Sequence, residues 1–164
     1  MIDRRTRIRK GGFFSLALLV LVLPACGGAG GGVAVTTSLG IATLSAAMDE
    51  TQTVLRNEGY RIERADGPPN IIIRTEWRHR SAMPSEEELG VREARTRFII
   101  EGRQRGGDIQ QIALFNMRMR VENEGRSGSG EDYTSLDATE DFTDYVNAIA
   151  REMRDRYETG IRME

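Results

Sequence analysis

The chain has 164 residues, 39% hydrophobic, 29% charged and 6% aromatic, with 18 Gly, one Cys and one His. That suffices for one ordinary folded domain and argues against a multidomain machine, a disordered chain or a collagen-like repeat. One cysteine excludes an intrachain disulfide framework and a multi-cysteine metal site. One histidine removes most His-based catalytic constellations, and Lys10, the sole lysine, leaves no Walker or Schiff-base lysine after it.

The first 26 residues differ from the rest. Met1 to Gly12 carries Arg4, Arg5, Arg7, Arg9 and Lys10 against Asp3 alone, and an eleven-residue apolar run, Phe13 to Leu23, follows. A basic region, a short apolar region and a small residue before a cut make an export signal. A membrane-spanning helix needs about 20 apolar residues, so a permanent anchor is the weaker reading.

Leu23-Pro24-Ala25-Cys26 resembles the lipobox of bacterial lipoproteins: aliphatic at −3, small at −1, cysteine at +1. Pro24 at −2 is a less usual choice. The resemblance implies cleavage after residue 25 and diacylglyceryl transfer to the Cys26 thiol, usually with acylation of the new amine. Two or three acyl chains hold a protein on a bilayer where one would not, at about 0.8 kcal/mol per buried methylene. The absence of Asp after Cys26 implies, by the same resemblance, the periplasmic side of the outer membrane. Gly27 to Gly32 contributes one alanine and five glycines and reads as a tether. The expected organisation is a signal at 1–25, acylated Cys26 with a tether at 26–37, and a globular domain at 38–164.

Residues 26–164 carry 18 basic and 24 acidic side chains, a net charge of −6. An acidic, lysine-free exported chain is a poor nucleic-acid binder.

In chain order, Ile41, Leu44, Ala47, Met48, Thr51 and Leu55 recur at helical spacing, which predicts a helix over 38–58 capped by Thr37 or Ser38 and closed by Gly59. Four strands are expected next, over 60–65, 70–79, 92–103 and 109–123. In 70–79, Ile71, Ile73, Thr75 and Trp77 alternate with Ile72, Arg74, Glu76 and Arg78. In the third strand Ala94, Thr96, Phe98 and Ile100 form the apolar set, and in the fourth Ala113, Phe115, Met117, Met119 and Val121. Alternation with one charged side describes antiparallel strands half-buried on a core. Asp66-Gly67-Pro68-Pro69 and Arg105-Gly106-Gly107-Asp108 read as turns. A second helix is expected over 140–159, with Phe142, Tyr145, Val146, Ile149, Met153 and Tyr157 as its stripe, Thr139 as cap and Gly160 as stop.

The expected fold is therefore α+β: a two-layer sandwich of order α-β-β-β-β-α, two helices on one face of an antiparallel sheet of about four strands, with 33–36 as a candidate edge strand. The layout resembles small envelope lipoproteins, among them the lipopolysaccharide-assembly accessory lipoprotein and minimal helix-grip domains; fold does not fix function.

Few residues point to chemistry. His79 lacks any nominated acid or nucleophile. Glu86-Glu87-Glu88 reads as a solvated first helical turn rather than a calcium loop, whose ligands alternate about a glycine. Met83, Met117, Met119 and Met153 read as core filling. The arginine face is more informative: Arg74, Arg78, Arg95, Arg97, Arg118 and Arg120 are expected on one side of the sheet with Glu76, Glu101 and Glu122. Cross-strand ion pairs explain such a face, and so does docking of an anionic envelope polymer, lipid headgroups or an envelope protein. Apolar Ile72, Ile99, Ile112 and Leu114 among those charges would favour a protein partner. The expectation is a lipid-anchored, non-catalytic accessory module without cofactor, an envelope hydrolase or a small-ligand carrier being the alternatives. A cavity between helices and sheet would favour the carrier.

Overall fold

The computed structural model describes residues 33–105, 113–128 and 131–163. They form an α+β domain built on one antiparallel sheet. Its elements are β1 (Val33–Thr43), a π-helical turn (Ala46–Glu50) running directly into α1 (Thr51–Asn57), β2 (Ile62–Asp66), β3 (Asn70–Thr75), β4 (Arg78–Ser81), α2 (Pro84–Glu88), β5 (Glu93–Gln104), β6 (Leu114–Arg126), β7 (Thr134–Ser135) and α3 (Glu140–Met163). The strand order is β1-β6-β5-β3-β2, with β4 also on β5 and β7 also on β6. Seven strands thus fill five lanes. β3 and β4 share the lane beside one edge of β5, and β1 and β7 share the lane beside β6.

The centre is β5 against β6, paired over twelve positions from Glu93–Arg126 to Gln104–Phe115. Ala94, Thr96, Phe98 and Ile100 of β5 and Phe115, Met117, Met119 and Val121 of β6 are all buried on the helix side. The expected alternation holds there residue by residue. Phe142, Val146, Ile149, Met153 and Tyr157 of α3, with Ala47, Val54 and Leu55 of the first helical segment, close the other side of the same cluster. Burying a side chain of this size is worth about 1.5–3 kcal/mol, so this one cluster dominates the stability. Met117, Met119 and Met153 belong to it, and Met83 packs on its margin.

Four expectations need correction. The sheet has seven strands rather than four, and three helical segments rather than two. Second, residues 38–43 are strand, not helix. The β-branched run Val35-Thr36-Thr37 and Ile41 pairs with β6 along its length, and Gly40 at φ 89° accommodates a bulge between Ser38 and Gly40. The helical segment begins only after Thr43, whose hydroxyl accepts the Ala46 N–H at 3.3 Å. Leu44 is left exposed while Ala47, Thr51 and Leu55 keep their inward stripe. β1 also takes residues 33–37 into the sheet, so six residues separate Cys26 from the first strand.

Third, the expected strand over 70–79 breaks. Arg74 lies opposite Ile99 and Arg78 opposite Thr96, so four steps on this lane match three on β5. The extra residue is a bulge, and it inverts every side chain beyond it. The Thr75 hydroxyl accepts the Phe98 N–H at 3.0 Å at the break. Fourth, Gly160 does not stop α3, which continues to Met163. A Cβ there would sit 3.0 Å from that of Ala46, so glycine serves close approach of α3 to the π-turn. Thr139 closes the first turn of α3 through its carbonyl, which accepts the Thr143 N–H, rather than through its hydroxyl. Gly59 (φ 81°) does end α1, with Tyr60 N–H returning to the Leu55 carbonyl at 2.9 Å.

Candidate functional site: the open face of the sheet

The helices cover one face and leave the other open. Arg74, Arg95, Arg97, Arg118 and Arg120 share that open face, as the register of β3, β5 and β6 requires. Arg78 does not. The bulge turns it to the helix side, where it donates to the Glu58 carbonyl at 2.7 Å and lies 5.1 Å from the Tyr60 ring. Trp77 makes the reverse move, from the expected core side to the open face.

One half of the open face is saturated. The Trp77 ring has the Arg95 and Arg97 guanidinium groups at 4.6 and 4.5 Å from its centroid. Arg95 also approaches Tyr133 at 4.4 Å, and Arg126 approaches the same ring at 4.8 Å. The result is a ladder, Arg97-Trp77-Arg95-Tyr133-Arg126, of alternating cations and rings. Each cation also has a carboxylate: Arg97 donates to Glu122 at 2.5 Å, Arg95 to Glu124 at 2.7 Å, and Arg126 to Glu93. The Arg126 pair holds the Glu93 carboxyl below the usual glutamate range. His79, exposed beside this ladder, meets the Tyr133 hydroxyl through Nδ1 at 3.1 Å, and that hydroxyl donates to Glu93 at 3.3 Å.

The other half is not saturated. Arg74 pairs with Glu63 at 2.9 Å. Arg118, Arg120 and Arg103 have no hydrogen-bond or ion-pair partner among the described residues, and Arg120 Nε is shielded from solvent without one. Glu101 stands opposite Arg118 in the register, yet the two form no ion pair. A groove of about 500 Å³ opens here, lined by Thr36, Ser38, Glu101, Arg103, Asn116 and Arg118 among others. Of the apolar residues expected on this face, Ile99 is buried between its neighbours, Ile72 and Leu114 are half-buried, and Ile112 lies outside the described residues.

On the helix side, sequence reading missed a polar cluster. Glu86 is fully buried, not solvated. All five N–H groups of Arg80 are used: Nε on Thr96, Nη1 on Glu86 and the Ser81 carbonyl, Nη2 on Glu86 and Asn123. Glu86 accepts further from the Met83 N–H at 2.8 Å and Asn123 Nδ2 at 2.8 Å. Burial alone would raise the Glu86 carboxyl, but the bonds from Arg80, Met83 and Asn123 outweigh it and hold the carboxyl below its ordinary value. Pro84 at the first helical position with Glu86 two residues later was the available signal, a helix start whose third residue reaches back to the N-cap N–H. Its partners Arg80, Thr96 and Asn123 come from three strands and left none. Tyr133 was equally silent, since β7 alone brings it to the face.

Tyr157 lies deeper, its hydroxyl 2.5 Å from that of Thr51 and its pKa pushed up to about 12 by burial, against the lowering effect of that bond. A second open cleft of about 510 Å³ lies between the π-turn and α3, where Glu50 and Glu152 clamp Arg156. The layer between helices and sheet is itself filled by the apolar cluster.

Cys26, the expected lipid attachment site, the signal and most of the Arg105–Asp108 turn lie outside the described residues. Among the described residues no helix is long and apolar enough to cross a membrane, and no His/Cys/Asp/Glu group could hold a metal ion. No protein-family model, no curated protein and no solved structure matches this chain.

Proposed function

We propose that the protein is an exported lipoprotein, acylated at Cys26 on the periplasmic side of the outer membrane, whose domain is a non-catalytic accessory module that binds through the open face of its sheet. The observation that carries this reading is the position of the only cysteine: last residue of a Leu-Pro-Ala-Cys motif behind a basic and apolar leader, with six residues between it and β1. The filled layer between helices and sheet supports a surface partner over an enclosed small ligand. The polar groups of the interior support it further, since Arg80, Glu86, Asn123 and Thr96 already satisfy one another and offer a substrate nothing. Partners with the right chemistry are an envelope protein or an anionic envelope polymer, because guanidinium groups grip carboxylate and phosphate bidentately.

The test is replacement of Cys26 by Ser in the full chain. The expected result is loss of acyl mass from the N-terminal peptide and loss of partitioning into the detergent phase. Unchanged lipid mass on the variant overturns the reading.

A further inference from the structure

We propose that the unsaturated half of the open face docks on the anionic headgroups of the membrane that carries the chain. The inference rests on the anchored reading above and adds to it an orientation: open face towards the bilayer, α3 away from it.

Three observations combine. The first is charge. In a mature chain of net −6, the groove end of the open face places Arg103, Arg118 and Arg120 against Glu101 alone among the described residues, a local excess of two positive charges there. The saturated half of the same face is neutralised pair by pair, by Glu93, Glu122 and Glu124. The second is availability. The three arginines have no partner among the described residues, although the same sheet supplies one to each of Arg95, Arg97 and Arg126. Around them Thr36, Ser38 and Asn116 add hydroxyl and amide donors, a set that suits phosphate oxygens.

The third is reach. From Cys26 to Val33 the chain spans at most about 25 Å, at roughly 3.3–3.6 Å per residue. The tether therefore cannot hold the domain far from the surface. β1 enters the sheet beside Glu122, and its residues Thr36 and Ser38 lie opposite Arg120 and Arg118. At about 3.3 Å per residue, those arginines sit only three and five residues beyond the end of the tether. An acyl-anchored chain thus carries Arg120 and Arg118 within about 10–17 Å of the end of its tether, measured along β1. Each arginine near an anionic surface raises occupancy by about fivefold.

The test uses the processed full-length chain with a fluorophore on Asn116→Cys, on the open face, or on Arg151→Cys, exposed on α3, in vesicles carrying a lipid-borne quencher. With about 30% anionic lipid, the Asn116 label should be quenched and the Arg151 label should not. In neutral vesicles, or in the variant Arg118→Glu with Arg120→Glu, quenching should fall by at least about tenfold, since that variant reverses the patch. A variant carrying Arg151→Glu controls for folding and should quench as the parent does. Absent quenching at Asn116, equal quenching at both labels, or indifference to the double reversal overturns the proposal. A response of the Asn116 label to polyphosphate without quenching by anionic vesicles assigns the groove to a soluble polymer and also overturns it. The anchor is read separately, from the acyl mass of the N-terminal peptide. If that mass is missing the anchor fails, and the label, placed in a Cys26→Ser chain added to vesicles, still decides the groove.

Discussion

Arg80 and Arg118 leave opposite faces of the same sheet and meet opposite fates. Arg80 gives five donors to Glu86, Asn123, Thr96 and a carbonyl, while Arg118 meets no partner among the described residues. Between them in character is the ladder of Arg95, Arg97 and Arg126, half-exposed, each with a ring and a carboxylate. Burial separates an arginine that is architecture from one that is surface. Burial forces saturation, because an unpaired buried charge costs more than the pair contributes. Solvent removes that compulsion, so an unpaired cation at the surface is free for something outside the chain.

The largest effect is expected at Glu86. Glu86→Gln leaves the Arg80 charge nearly buried without its counter-charge and should cost about 3–5 kcal/mol in denaturant unfolding; a loss within that of a surface change would mean that the cluster is not structural. The same cluster predicts acid sensitivity. The folded state holds the Glu86 carboxyl below its ordinary value, so the unfolded chain binds its proton first. The stability this contributes is complete above about pH 4.3 and is lost as pH falls through the folded value. A titration of unfolding free energy should therefore bend downward below that point in the parent and bend less in Glu86→Gln.

At the ladder the expected effect is smaller. Trp77→Ala removes two cation–ring contacts and should cost about 1–2 kcal/mol, with high salt lowering the stability of the parent only slightly because its ion pairs are partly buried. Smallest of all, Arg118→Ala and Arg120→Ala should each change stability by less than about 0.5 kcal/mol. A larger loss at either would place it with Arg80 rather than with the free surface, and thermal melts of the four variants side by side decide the order.

Much of the sheet was readable because β5 and β6 alternate strictly and α3 keeps its stripe from Phe142 to Tyr157. Local pattern and burial agree there. At 38–44 they do not agree: Leu39 and Ala42 suit either a helix or a strand, and pairing with β6 chose the strand. Of the expected arginine face, five of six residues were legible from period two alone. Arg78 was lost to a single inserted residue near Trp77, which no periodicity announces.

What depends on neighbours along the chain is legible in the sequence: the basic stretch, the apolar run and the sole cysteine after it, the alternation of the long strands, the amphipathic α3. Tertiary structure alone decided what depends on residues far apart. It set the strand register that sends Trp77 outward and Arg78 inward, and it brought Glu86 to Arg80 and Tyr133 to Arg95. It also left Arg118 and Arg120 without partners among the described residues, because an ion pair requires two side chains to meet, and the chain reveals only where each begins.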